Sequence, residues 1–416
     1  MGRTRQHMPG APCLTPELWA KVFAHLEESP EVANIWDYEL QQQNQAQMHQ
    51  LKLVCKEFGE VCASHTELVQ RLYVSGDFSV SSLPSLLAWL RQSKNSLTIF
   101  TASCEGQLVH AVLAGLVASQ LNIRAVGCTL DAFSIPLVAG FANLEECAIW
   151  HSREQLDLAP LGSLPHLNHV VLHGEFQQLY HLAGLTRLDC SGADVSGVRK
   201  FAPTLQHLEI DHSNMREVHP QGLSACTALT QLVLKNALMT DNSEAIYLNH
   251  SLSLASTDLG GLTRLHTLKL GSNVQNIPSV EWISGLTSLK DLSICGRSSL
   301  DGVVQHASVL TQLTRLDISA PFEFEMSILD IDMEWHRLKA LQDLSINNVV
   351  LRFGPGVAGL LQLQHLKQVS FTGNRTLGEA DNEYLCALVF NLARLRPQVK
   401  LLFDNGELQN FFVQPS

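Results

Sequence analysis

The sequence predicts an α/β leucine-rich-repeat solenoid, with a parallel sheet on the concave face and helices or irregular turns over the convex face. Two observations predict it. The phrase Leu-x-x-Leu-x-Leu recurs in phase along the chain, and most intervals between its later copies are 24 or 25 residues. The clearest copy runs from Leu265 through Leu268 and Leu270 to Asn273, which is the leucine-rich-repeat signature. Leu268 and Leu270 lie two apart, so in a strand they share one face. Leu265 enters from the same buried side. Asn273 stands where an amide can turn inward and bond the backbone at the bend that follows. One such unit cannot bury its leucines alone, whereas stacked copies can.

The other copies begin at Leu167, Leu185, Leu205, Leu229, Leu289, Leu313, Leu341 and Leu366. The intervals 265–289 and 289–313 are each 24 residues and 341–366 is 25. All fall inside the leucine-rich-repeat range of about 20–29.

Taken in order, the chain divides into 1–12, a flexible N-terminus; 13–67, a helical segment with a Gln-rich insertion; and 68–416, the repeats with a C-terminal cap. In the helical segment, Leu18, Val22 and Leu26 lie four apart, with Trp19 and Phe23 as an adjoining stripe and Pro16 suited to a first turn. A second short helix is expected at 51–61, with Leu51, Val54, Phe58 and Val61 on one side. The early repeats are degenerate. Strands are expected at 69–74, 97–100, 123–128 and 144–149, and helices at 83–90 and 109–117. Extra residues sit near 240–257 and 321–335. Only Asn273 and Asn374 fill the Asn position; Ala193, Ser213, Ala237, Arg297, Pro321 and Val349 stand there elsewhere. The stretch from Val399 to Phe403 is expected to begin the C-terminal cap.

A net charge of −12 argues against attraction to nucleic acid or to an acidic membrane surface. The longest apolar stretch, 108–121, is too short to span a bilayer. No apolar run follows Met1–Gln6, which speaks against a secretory leader. The ten cysteines are scattered with no CxxC pair, so a disulfide framework is not expected and a reducing compartment, cytoplasmic or nuclear, is.

No phosphate-binding loop, dinucleotide fingerprint, metalloprotease motif or nucleophile elbow is present, so no cofactor and no catalytic residues are expected. Asp211-His212-Ser213 carries triad letters, but adjacent strand residues point to opposite faces. His166, His169 and His173 have metal spacing only on a helix. On a strand His169 and His173 stand about 13 Å apart, so no metal is expected there.

The frame also says what lines the concave face. One row reads His169, Arg187, His207, Gln231, Thr267, Asp291, Arg315, Asp343, Gln368. The next reads Val171, Asp189, Glu209, Val233, Lys269, Ser293, Asp317, Ser345, Ser370. Asp189, Glu209 and Asp211 are therefore expected to cluster, with Arg187 and His207 beside them and Lys235 at the edge. These six are the candidate target-binding residues. Three neighbouring carboxylates would repel one another, which points to a protein target that is basic at the contact.

The N-terminal residues carry a resemblance. Leu14, Glu17, Leu18, Val22, Phe23 and Leu26 resemble the first helix of an F-box, and Val54-Cys55-Lys56 followed by Phe58 is similar to that motif's second signature. Thr15 stands where that family prefers Pro, and Phe58 where Trp is usual. The resemblance implies an F-box protein with C-terminal leucine-rich repeats, a non-catalytic adaptor. Its Leu14, Leu18, Val22, Phe23, Leu26, Val54 and Cys55 would dock a Skp-type adaptor and through it a cullin of a ubiquitin ligase. The alternative is a leucine-rich-repeat scaffold without a ligase, in which the same apolar stripe closes the open end of the solenoid.

Overall fold

The computed structural model describes residues 71–74, 86, 97–102, 106–150, 156–174, 176, 179–182, 184–191, 202–211, 223–235, 252–253, 257–271, 274–275, 280–295, 300, 302–320, 328–331 and 334–404. The F-box-like segment, the helix expected at 51–61, most of 83–90 and Asn273 lie outside these residues. The described residues up to 129, with 140–144, form one compact unit, and those of 130–139 and from 145 onward another.

In the first unit, β1 (Arg71–Val74), β2 (Ile99–Ala102) and β3 (Ala125–Thr129) pair in parallel and in register. Helix α1 (Gln107–Ala118) buries Val109, Val112, Leu113 and Leu116, a three-and-four spacing that puts them on one face. The strands expected at 69–74, 97–100 and 123–128 and the helix expected at 109–117 are found here, and the strand expected at 144–149 opens the second unit.

The second unit carries the regular repeats. Its strands along the chain are β4 (Glu146–Trp150), β5 (His169–His173), β6 (Arg187–Ser191), β7 (His207–Asp211), β8 (Gln231–Lys235), β9 (Leu252–Ser253), β10 (Thr267–Leu270), β11 (Val274–Gln275), β12 (Asp291–Cys295), β13 (Arg315–Ser319), β14 (Ile328–Asp330), β15 (Asp343–Asn347), β16 (Val350–Arg352), β17 (Gln368–Thr372), β18 (Arg375–Thr376) and β19 (Lys400–Asp404). The main parallel sheet runs β4-β5-β6-β7-β8-β10-β12-β13-β15-β17-β19. Two small parallel sheets follow the bends, β11-β9 and β14-β16-β18. In the main sheet both expected rows are in register. His207 sits opposite Arg187 and Gln231, and Glu209 opposite Asp189 and Val233. The rows continue through Asp291, Arg315, Asp343 and Gln368.

The buried residues keep a longer pattern than the strand phrase. Leu259, Leu262, Leu265, Leu268 and Leu270 are all essentially buried, as are Ile283, Leu286, Leu289, Leu292 and Ile294. Spacings of three change to two on entering the strand. The cause is the turn before each strand. Leu262 N–H donates to the Leu259 carbonyl and Leu265 N–H to the Leu262 carbonyl, each three residues back, and the same pair recurs at Leu286 and Leu289 and at Leu338 and Leu341. With about three residues per turn, such segments bring every third side chain to one side. The strand then restores period two. Full burial of each leucine stabilises by about 1.5–3 kcal/mol.

From β5 to β17, each strand of the main sheet begins on one shared acceptor. The carbonyl of Thr230 receives the N–H of His266 and of Thr267; that of His266 receives Lys290 and Asp291; that of Lys290 receives Thr314 and Arg315. Both lone pairs are used, which satisfies the backbone where turn becomes strand. Where the residue before the strand is threonine, its hydroxyl adds a further bond to the same carbonyl: Thr186 to Asn168 at 3.2 Å, Thr230 to Gln206 at 3.0 Å and Thr314 to Lys290 at 2.9 Å.

Asn374 shows what the repeat asparagine does. It is 3% exposed, its Nδ2 donates to the Ile346 carbonyl at 2.6 Å, and its Oδ1 accepts from Val349 N–H at 3.0 Å. The bend carrying Val349, which lacks its own Asn, is thus served from the following repeat.

The stretch expected to begin the C-terminal cap continues the sheet. Lys400–Asp404 is a full strand in register on β17. Before it lies a helix the leucine phrase did not announce, α2 (Glu379–Leu395), which buries Leu385, Leu388, Val389 and Leu392.

Candidate functional site

The six candidate residues do come together. They stand on β6, β7 and β8, on the face opposite the leucine layer. Strand alternation places Arg187, Asp189 and Ser191 outward there, with Leu188 and Cys190 inward. On β7, His207, Glu209 and Asp211 face out, with Leu208 and Ile210 inward. Neighbouring strands are about 4.8 Å apart, so side chains on adjacent strands touch.

Asp189 is the hub. Its Oδ2 accepts from Arg187 Nη2 at 2.8 Å and Nε at 3.0 Å, and lies 3.4 Å from His169 Nε2. Its Oδ1 lies 3.2 Å from His207 Nε2. Burial alone would push this carboxyl up, but His169, His207 and Arg187 together outweigh it and hold it well below the ordinary carboxylate range. On the β5 side, His169 Nδ1 stands 3.8 Å from Glu146 Oε2. Burial disfavours the His169 imidazolium, yet Asp189 and Glu146 overcome this and raise its pKa. The contact with His169 in turn lowers that of Glu146. On the β8 side, Lys235 Nζ pairs with Glu209 Oε1, while Glu209 Oε2 lies 4.0 Å from His207 Nε2. Carboxylate and imidazole therefore alternate across four adjacent strands, from Glu146 through His169, Asp189 and His207 to Glu209. His173, at the far end of β5 from His169, stacks flat on Trp150 with ring centroids 5.9 Å apart.

The mutual repulsion expected of Asp189, Glu209 and Asp211 is met inside the chain. Arg187 and Lys235 each bind one carboxylate directly, and Asp211 stands opposite Lys235 in the register. Register locates those cations at the edge of the cluster; only their rotamers bring them onto the carboxylates.

Asp317 holds the equivalent row position on β13 in a different setting. Burial raises its pKa despite the attraction of Arg315, and its close polar neighbour is the Ser293 hydroxyl at 3.4 Å. The two aspartates are therefore expected to respond oppositely to amidation. At pH 7, Asp189→Asn should lose about 1–3 kcal/mol, the scale of charge-assisted bonds, and Asp317→Asn should lose nothing or gain. The signs follow from linkage. A depressed carboxyl stabilises the fold above its unfolded pKa, and that contribution disappears as pH falls through about 4 towards the folded value. A raised carboxyl costs stability once ionised, and the cost disappears as pH falls through its raised value. Urea melts of both variants at pH 7 and pH 4 measure this; equal losses at pH 7 would contradict it.

Elsewhere on this face, Lys269 and Arg315 flank Asp291 at 3.7 and 3.9 Å. Asn347 Oδ1 accepts from Ser370 Oγ, Thr372 Oγ1 and Thr372 N–H. The described cysteines are free. Burial pushes the Cys147 and Cys226 thiols up to about 12, so they behave as small apolar groups. The candidate docking residues Leu14, Leu18, Val22, Phe23, Leu26, Val54 and Cys55 lie outside the described residues.

Comparison with solved structures shows the fold. An internalin from Listeria monocytogenes matches with a TM-score of 0.53 and 17% identity, over 83% of this chain and 89% of that one. A leucine-rich-repeat protein from Leptospira interrogans matches with a TM-score of 0.46 and 15% identity, over 80% and 90%. No protein-family model and no curated protein matches the chain.

Proposed function

We propose that this chain is a non-catalytic receptor that presents a target protein to a cullin-type ubiquitin ligase. The N-terminal segment docks a Skp-type adaptor through Phe23 and the apolar residues around it, and through that adaptor a cullin. The open sheet face binds the target. The observation that carries the recognition half is the register of β5–β8. It gathers His169, Arg187, Asp189, His207, Glu209 and Lys235 into one polar network on the face opposite the leucine layer, with the Arg187 and Lys235 side chains about half-exposed at its surface. A network of fixed charges on a rigid sheet suits recognition of a complementary protein surface. With its own pairs formed, the patch offers both signs of charge, and Asp211 at its edge is the carboxylate through which a basic contact is made. The docking half rests on the F-box resemblance at Leu14–Leu26 and Val54–Phe58. A ligase receptor of this kind works in the cytoplasm or nucleus, which agrees with the free thiols.

Phe23→Ala in the full chain is expected to lower affinity for a purified Skp-type adaptor at least about thirtyfold, the equivalent of about 2 kcal/mol at a buried aromatic anchor. The thermal melt of the repeats should not change. Asp211→Lys is expected to leave adaptor binding intact. No adaptor binding by the wild-type chain, together with a lowered melting temperature in Phe23→Ala, would replace this reading with a scaffold whose N-terminal segment caps the repeats.

A further inference from the structure

We propose that Asp189, His207 and Glu209 form a binding site for a divalent transition metal of the zinc class on the open face of the sheet. The strand geometry places them. His207 and Glu209 are two apart on β7 and share a face. Asp189 on β6 is the register neighbour of Glu209. One ligand atom from each, an aspartate oxygen, the imidazole Nε2 and a glutamate oxygen, all lie within 4.8 Å of one another.

The carboxylate oxygens divide their work. Asp189 Oδ2 is held by Arg187 and His169, and Glu209 Oε1 by Lys235. The oxygens left over, Asp189 Oδ1 and Glu209 Oε2, both turn to His207 Nε2, at 3.2 and 4.0 Å. Around a tetrahedral ion with bonds of about 2.0–2.1 Å, ligand atoms stand about 3.3 Å apart. Shifts of under about 1 Å close the three around one ion.

Two of these atoms pose a question that a metal answers. Asp189 Oδ1 and His207 Nε2 are buried and neither makes a hydrogen bond, although they lie 3.2 Å apart. Their approach is not aligned for an N–H to donate. A cation held between the imidazole nitrogen and the carboxylate oxygen would give both buried atoms a partner. Val171 and Val233, buried on the same face beside Asp189 and Glu209, lower the local polarity and strengthen that attraction. The bonds from Arg187 and Lys235 to the outer oxygens act as the supporting shell that fixes ligand carboxylates in orientation. Three protein ligands leave the fourth position of a zinc-class ion open to solvent or to a side chain of a partner. The mixed imidazole and carboxylate set suits zinc better than calcium or magnesium, which prefer all-oxygen sites.

The test uses the full chain, stripped with chelator and titrated separately with zinc chloride and cobalt chloride. The expected result is one zinc bound per chain through this site, and a cobalt visible spectrum of oxygen and nitrogen ligation without the intense near-ultraviolet bands of thiolate ligation. His207→Ala and the shape-conserving Glu209→Gln should each weaken zinc binding at least tenfold. His173→Ala, at the far end of β5, should not. Zinc should raise the melting temperature of the wild-type chain but not of either ligand variant. The proposal is overturned if the wild-type chain binds no stoichiometric zinc, if binding survives unchanged in folded Glu209→Gln, or if cobalt reports thiolate ligands only.

Discussion

Trp335→Ala is expected to cost about 3–5 kcal/mol, the range for removing a large aromatic from a packed core. Trp335 is fully buried and heads the stack Trp335, Leu338, Leu341, Leu344, Ile346, all essentially inaccessible. It occupies the position that Leu223, Leu259 and Ile283 hold in other repeats, so it fills the leucine layer with a larger ring. Its Nε1 donates to the Ile331 carbonyl at 3.0 Å, which ties the turn to the stretch after β14. The next repeat is shaped to accept it: a Cβ built at Gly359 would stand 3.2 Å from the Trp335 Cβ. Truncation to alanine opens a cavity that two repeats line and that neither can close without moving its backbone. Trp335→Phe retains most of the volume but orphans the Ile331 carbonyl, and should cost about 1–3 kcal/mol. Urea unfolding followed by circular dichroism measures both. A loss below about 1 kcal/mol for the alanine variant would mean that the layer is not packed as described.

The second large effect is Asn374→Ala, expected to cost about 2–5 kcal/mol. Two buried backbone groups, the Ile346 carbonyl and the Val349 N–H, lose their partner at once. A buried polar group left unsatisfied costs about 1–3 kcal/mol. Alanine is too short to restore either bond, and the site lies between adjacent bends where water has little access. Asn374→Asp is the informative companion. It keeps the acceptor for Val349 but sets a carboxylate against the Ile346 carbonyl, so it should be no better than alanine at pH 7 and should recover as pH falls and the carboxyl protonates. Equal stability of the wild type and Asn374→Ala would refute the role given to the repeat asparagine.

The parts of this fold that were legible in the sequence are those governed by period two. Alternation fixes which face each strand residue takes, and a one-residue slip would bury Asp189 and Glu209 among leucines, so the sequence alone specifies the rows. Asn374 was legible for a related reason, because its position in the phrase admits one geometry. The threefold spacing of Leu259, Leu262 and Leu265 was equally present but was absorbed into the strand phrase; it belongs to the tight turns and specifies them. The threonines before Arg187, Gln231 and Arg315 read as ordinary polar positions until their hydroxyls were seen on the shared carbonyls. Helix α2 carries its own signal in Leu385, Leu388, Val389 and Leu392, but a leucine-dense chain offers both periods at once.

The candidate site was legible as a set of residues and not as a network. Register placed Arg187 and Lys235 beside the acidic residues. It could not say that Arg187 folds back along its own strand onto Asp189, or that Lys235 reaches across to Glu209. Those outcomes depend on side-chain torsions, and they turn an expected excess of negative charge into a self-paired patch. The histidine spacing that drew notice at His166, His169 and His173 lies along one stretch of chain, whereas the convergent group at Asp189, His207 and Glu209 spans two strands and has no spacing in the sequence to betray it.

The central claim is that recognition takes place on the open sheet face beside β7. A photo-crosslinking side chain placed at Gln231 on β8, and separately at Gln362 in the turn segment Pro355–Gln362, tests it most directly. Both variants are to be expressed in full-length form and recovered from cells under irradiation. The account predicts a discrete adduct with a target protein from Gln231, diminished by Asp211→Lys, and none of that species from Gln362. An adduct from Gln362 with none from Gln231 would contradict it.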